Sequence, residues 1–392
     1  MTATEATGLL SRRELSPVEL LDAVVARTER TEPLIGAVTE QMLDDAYAAA
    51  RESEQRFKDG TARPLEGIPL MLKEEQPIAG RLAEEGSLLE RGNVSAVTHP
   101  IVDRIFNSGA VVHGRTTTPE FCCAPVTHTE LWGITRNPFN TEMTPGGSSG
   151  GAGAVLAAGS TVLATGSDIG GSIRIPSSYC GVVGFKPPFG RVPGLAPFNS
   201  DTYCADGPMA RSVADTALLQ NVISGPWAGD QASLRPGLLL TADAQSLAGT
   251  KIALCISLGG YAPDPEVVAN TLRFADALRA AGAIVEEVEL PWTPDRVLEI
   301  AWIVTDDALA DDVDADLVQA CVEEQRVGVG PIGREQFGAD RNDDRGRDRR
   351  HHATPGTNRI RRWSATPPYT PAMRSSAMMP TPPWSCSKRL AG

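Results

Sequence analysis

Apolar positions recur at helical spacing close to the N-terminus, where Leu20, Leu21, Val24 and Val25 form one stripe. Ser16-Pro17-Val18-Glu19 stands before it as a helix start: serine caps, proline takes the first turn, and Glu19 closes a capping box. A second helix is predicted from about Met42 to Lys58, rich in Ala, Glu, Gln and Arg. The pattern then shortens. Pro69 to Leu72 is an apolar run that reads as a strand ending at Lys73. Ile101 to Asn107 reads as a helix stopped at Ser108-Gly109, and Ala110 to His113 as a short buried strand. Thr116 to Pro119 is a loop, Glu120 to Cys123 begins a turn or helix, and Trp132 to Phe139 is again a loop.

In the second half, Ser212 to Val222 is an amphipathic helix with Ser212 as its cap. Lys251 to Ile256 is a strand, Pro265 to Ala281 a helix stopped by Gly282, and Ala283 to Leu290 alternates as a strand does. Thr293 and Pro294 open a further helix, expected to reach about Gln325. Strands interleaved with helices put the chain in the α/β class. Past Gly328 no hydrophobic period survives. Arg341 to His352 is dense in charge, and Thr354 to Ser387 is rich in Arg, Pro, Ser, Thr and Met. Residues 328–392 are therefore expected to be an irregular, disordered tail, and 1–327 the folded domain, with its catalytic core at 65–225.

Composition narrows the function more than the fold. A net charge of −13 speaks against a nucleic-acid or anionic-membrane partner. No apolar run approaches the ~18 residues of a membrane span, and the N-terminus lacks the basic-then-apolar layout of a signal peptide. Seven cysteines without a C-x-x-C pair suit free thiols in a reducing cytoplasm.

Chemistry concentrates in Thr144 to Gly190, where two glycine-serine turns, GGSSGG at 146–151 and GSDIGGS at 166–172, flank an uncharged small-residue segment. Such turns bring hydroxyls beside backbone N–H groups, as serine catalysis with an oxyanion hole requires. Neither turn has the lysine of a phosphate-binding loop, and the spacing fails the dinucleotide fingerprint. The histidines are His99, His113, His128, His351 and His352; no G-x-S-x-G elbow accompanies them, and His113 reads as an interior residue. No metal motif is present, and no cofactor is expected. Lys73 has two readings, a strand-end lysine reaching water or a desolvated base.

The blocks GIPLMLKE (67–74), TRNPFNTEMTPGG (135–147), GGSSGG (146–151), GSDIGGSIRIP (166–176), GVVGFKPPFGRVPG (181–194) and DGPMARSVAD (206–215) together resemble the amidase signature family of serine hydrolases. The resemblance covers about residues 5 to 320, with Ser148 75 residues after Lys73 and Ser172 24 after Ser148. It implies a central mixed β-sheet covered by helices on both faces. It also implies a triad in which Ser172 is the nucleophile, Ser148 a bridging serine after a cis peptide, and Lys73 the base, neutral through burial and hydrogen bonding. The backbone N–H groups of Ile169, Gly170, Gly171 and Ser172 would form the oxyanion hole, with Ser149, Ser167, Asp168 and Arg174 supporting them.

The function implied is hydrolysis of a linear carboxylic amide to acid and ammonia or amine. The partner is then a small-molecule amide, with a homodimer left open. An alternative is the glutaminase subunit of a tRNA-dependent amidotransferase. That subunit carries Gln where Ile175 stands here, which with Asn199 to Tyr203 favours a free-standing amidase. A departure lies at the carboxyl end, where the resemblance implies further sheet strands and the chain has its Arg/Pro/Ser/Thr-rich tail instead. A frame change or truncation between about Val327 and Arg341 is the expectation there, and an inactive product is the third reading.

Overall fold

The computed structural model describes residues 1–235, 239–241 and 246–296. Its first helix, α1 (Ala3–Ser11), is opened by a Thr2/Glu5 capping box that the periodicity did not disclose. Helix α2 (Pro17–Ile35) starts at the predicted box, with the Ser16 hydroxyl accepting from backbone N–H and Glu19 reaching back. Strand β1 (Val38–Gln41) and helix α3 (Leu43–Asp59) follow, then β2 (Pro69–Lys73), α4 (Pro100–Asn107) and β3 (Val111–Thr116). β3 runs three residues beyond its expected end because every residue in it is buried, polar ones included. Glu120–Cys122 forms one 3-10 turn, followed by a small ribbon of β4 (His128–Thr129) and β5 (Gly133–Ile134).

The small-residue segment divides into helix α5 (Gly150–Ala158) and strand β6 (Leu163–Asp168). After α6 (Arg174–Tyr179), β7 (Val183–Gly184) and β8 (Ala205–Ala210), helix α7 (Val213–Ile223) begins where Ser212 accepts from the Asp215 N–H. The predicted strand–helix–strand that follows is β9 (Lys251–Leu254), α8 (Pro265–Ala280) and β10 (Ile284–Glu287), with β9 and β10 pairing in parallel. Thr293 accepts from the Arg296 N–H as a cap should. The rest of that helix, the 328–392 tail and the expected loss of carboxyl-terminal strands lie outside the described residues.

Six strands form the central sheet in the order β1-β3-β2-β6-β8-β7. β2 runs parallel to both neighbours, β3 and β6, while β1, β8 and β7 join antiparallel, so the sheet is mixed as the resemblance implies. Side chains of β2 alternate between faces. Leu70 and Leu72 pack in the large core with Leu21, Ala46, Ile101, Ile105 and Leu219, while Met71 meets Ala154, Val155 and Ala158 of α5 on the other side. Helices therefore cover both faces of β2. Asp215 on α7 accepts from the Thr4 N–H and hydroxyl at 2.9 Å each, tying the N-terminal helix to this core. Among the described residues no helix is long and apolar enough to cross a membrane.

Candidate active site

The carboxyl ends of β2 and β6 lie side by side, since the two strands are parallel neighbours. Ligands in α/β sheets bind at such ends. β2 delivers Lys73, which is wholly buried. Its backbone N–H donates to Thr165 Oγ1 at 3.0 Å. β6 delivers Ser167 and Asp168, and the glycine turn to Ser172 follows directly.

The second wall is the turn before α5. Its Gly147–Ser148 peptide is cis. Gly147 is required by close approach: a Cβ there would lie 2.6 Å from Ala124 O and 2.7 Å from Val126 O, both rigid backbone. Ser148 is thereby held in the interior, 1% exposed, with its Oγ accepting from Lys73 Nζ at 2.7 Å. The Ser149 N–H donates to the Ser172 carbonyl at 3.1 Å, and Ser149 Oγ lies 3.3 Å from both N and O of Ser167. These bonds lock the two glycine-serine turns together. Lys73, Ser148, Ser149 and Ser167 are thus joined by direct bonds. Ser172 reaches the group through its backbone, and among the described residues its hydroxyl has no hydrogen-bond partner.

Asp168 organises the turn around Ser172. It is fully buried and accepts from the N–H groups of Gly171, Ile173 and Arg174 at 2.9, 3.1 and 3.2 Å. The Arg174 guanidinium adds bonds of 3.0 and 2.7 Å. Burial opposes its charge, but the Arg174 side chain and the backbone donors hold the Asp168 carboxyl below the usual carboxylate range. One expectation changes here. The Gly171 N–H points at Asp168 and is not free for an oxyanion. Among the described residues, no acceptor engages the N–H groups of Ile169, Gly170 or Ser172.

A second correction concerns Lys73. Its Nζ also meets Ser167 Oγ at 2.8 Å and the Glu75 carboxylate at 2.9 Å. Burial disfavours the ammonium, but the Glu75 carboxylate beside it outweighs that and holds the lysine above its ordinary range. Burial pushes the Cys122 thiol well up, so at neutral pH it stays protonated and Glu75 is the charged partner. Burial likewise opposes the Glu75 carboxylate, which Lys73 nevertheless keeps below its usual range with hydrogen bonds from Cys122 and Ser167. The surroundings therefore favour a lysine–glutamate ion pair at rest, not the buried, hydrogen-bonded neutral amine that the resemblance implies. The expectation missed Glu75, which lies in the turn two residues after Lys73, past the end of β2, where strand alternation no longer assigns a face.

His113 takes no part. It is buried, its Nε2 lies 3.1 Å from Thr161 Oγ1, and burial pushes its pKa down to about 3. The turn after Lys73 is fixed from outside the site. Buried Arg115 donates to the Glu74 carbonyl, and the Glu74 carboxylate accepts from the N–H groups of Glu84 and Glu85 at 2.8 and 3.0 Å.

The family model described as Amidase matches residues 19–342. A glutamyl-tRNA(Gln) amidotransferase subunit from Synechococcus sp. (strain CC9605) is 38% identical over 318 residues; the match takes in 79% of this chain and 64% of that one. The chain thus spans less than two thirds of that relative's length. Among solved structures, a bacterial aryl acylamidase of the amidase signature enzymes superposes with a TM-score of 0.73 at 28% identity, covering 84% of this chain and 73% of the other. The native peptide amidase from Stenotrophomonas maltophilia gives 0.67 at 32% identity, covering 74% and 62%.

Proposed function

The chain belongs to the amidase family, and from that premise we propose that it hydrolyses a carboxylic amide through an acyl-enzyme on Ser172. The observation that carries this reading is the 2.7 Å bond from Lys73 Nζ to Ser148 Oγ, inside a turn tied to Ser172. Once Lys73 has lost its proton, it accepts one from Ser148, which accepts one from Ser172. Ser172 Oγ then attacks the amide carbon. The oxyanion is received by the N–H groups of Ile169, Gly170 and Ser172; loss of one such donor typically costs on the order of 10²–10³ in rate. The proton returns along the same path to the leaving nitrogen. Water repeats the cycle on the acyl-enzyme and frees the acid.

Which amide is cleaved divides the reading in two. The named relative supports glutamine as the amide, within an amidotransferase. The apolar Ile175, whose side chain packs within 3.0 Å of a Cβ position on Gly171, supports a free-standing enzyme for less polar amides. Ammonia release from glutamine, with and without candidate partner subunits, is to be compared with release from a panel of aryl, alkyl and peptide amides. Turnover of panel amides by the chain alone supports the free-standing reading. Turnover of glutamine that requires partner subunits supports the other. No ammonia from either set would overturn both.

A further inference from the structure

We propose that Glu75 is a positioning residue for this amide hydrolysis: it pairs with Lys73, stabilises the ammonium formed as Ser172 gives up its proton, and sets the pH at which the nucleophile turns on. The inference rests on the proposed roles of Ser172 and Lys73. Its ground is geometric. Glu75 Oε2 lies 2.9 Å from Lys73 Nζ, with the lysine side chain 0% exposed and the glutamate 14%. Cys122 Sγ donates to the same oxygen and lies 2.9 Å from Thr118 Oγ1, so the carboxylate is held in place behind the base.

A carboxylate so placed behind a base stabilises the charge the base acquires, the part an aspartate plays behind a catalytic imidazole. The bond from Ser172 Oγ to the carbonyl carbon forms as the carbonyl electron pair moves to oxygen. The Ser172 proton goes to Ser148, whose own proton goes to Lys73 Nζ, leaving ammonium beside carboxylate. The same protons return when the carbon–nitrogen bond breaks, so Glu75 neither gains nor loses one.

The other titratable groups near the pair do not supply this charge. Glu74 is engaged by Arg115 and two backbone N–H groups. Burial pushes Glu85 up to about 7. From the β8 side, burial raises both Cys204 and Asp206, and Asp206 faces His99 Nε2 at 3.4 Å and Gln76 Nε2 at 2.7 Å. Ser148 and Ser167 contribute neutral hydroxyls.

The test follows the rate at which a fluorophosphonate labels Ser172 between about pH 5 and 10, in wild type, Glu75→Gln and Glu75→Asp. Wild-type labelling should still be rising at the alkaline end. Glu75→Gln should level off at least about one pH unit lower, at a plateau reduced about tenfold or more because the base is weaker. Glu75→Asp should restore the alkaline limb. A slower Glu75→Gln with an unmoved limb would make the residue merely structural and overturn the proposal. If Glu75→Gln does not fold, ¹⁵N-lysine NMR of the wild type, assigned with Lys73→Arg, takes its place. An ammonium resonance for Lys73 at neutral pH supports the pairing, and a neutral amine contradicts it. Absence of label at Ser172 in folded wild type would sink the nucleophile reading and the proposal with it, whereas normal labelling with an unmoved limb sinks the proposal alone.

Discussion

Replacing Asp168 by alanine removes the acceptor around which the turn that carries Ser172 is wound. Three backbone N–H groups, those of Gly171, Ile173 and Arg174, lose their partner together. An interior donor left unsatisfied costs about 1–3 kcal/mol. The Arg174 N–H can recover a bond to water, because that residue is exposed. Gly171 and Ile173 are buried and cannot. The loss of the Arg174 ion pair adds little, since the guanidinium is 56% exposed. The expected cost is therefore roughly 2–6 kcal/mol, a drop in Tm on the order of 5–15 °C. Catalysis should fall further than stability. With the Gly171 N–H released, the turn no longer holds Ile169, Gly170 and Ser172 in one orientation, and labelling of Ser172 should slow about 10²–10³-fold at a temperature where the variant is folded. Asp168→Asn, which retains one acceptor oxygen, should lie between. Thermal unfolding and labelling rate measured on the same preparations check both numbers. A folded Asp168→Ala with unchanged Tm and a labelling rate within about threefold of wild type would refute the reasoning.

Three further outcomes follow from the same geometry. Gly147→Ala should destabilise by about 1–3 kcal/mol or more and abolish labelling, because its Cβ meets backbone at 2.6 Å, whereas Gly170→Ala meets nothing within 4 Å and should keep the wild-type Tm. Equal Tm values for the two variants would contradict the cradle described for Ser148. His113 has its folded pKa pushed from 6.5 to about 3 by burial, so below 6.5 the unfolded chain binds the proton first and stability falls with pH until about 3. His113→Gln, which can still bond Thr161, should remove about 1.4 kcal/mol per pH unit from that decline, read from denaturant midpoints at about pH 7 and 5. Asp168 works in the acid range: its folded pKa is depressed, so its contribution is complete above the unfolded value near ~3.9 and is lost as pH falls further. Acid unfolding of Asp168→Ala should accordingly be less steep there than that of the wild type.

Where local chemistry and burial pattern agree, the chain announces its structure. The Ser16/Glu19 box and the Leu20–Val25 stripe specify α2 because one face is buried and the other wet. Helix α5 carries no such signal: Gly150 to Leu156 are all buried, so nothing alternates and its small residues suit close packing in either state. β8 was hidden for a related reason. It is buried throughout and holds Pro208 between two antiparallel neighbours, a residue that ordinarily argues against an interior strand. In the site, Lys73 and Ser148 meet as their motifs imply. The charge state of Lys73 was not legible, because it depends on Glu75 and on Cys122, which comes from a different segment 47 residues further along the chain than Glu75. Gly171 likewise looked like an oxyanion donor until the Asp168 carboxylate was seen to hold its N–H.

The central claim is that Ser172 is a nucleophile activated through Ser148 by Lys73. Fluorophosphonate labelling followed by peptide mass mapping tests it directly. Folded wild type should carry the label on Ser172, Ser172→Ala should carry none, and Lys73→Ala should label about 10²–10⁴ times more slowly. Label on another residue, or a Lys73→Ala rate equal to that of the wild type, would contradict the account.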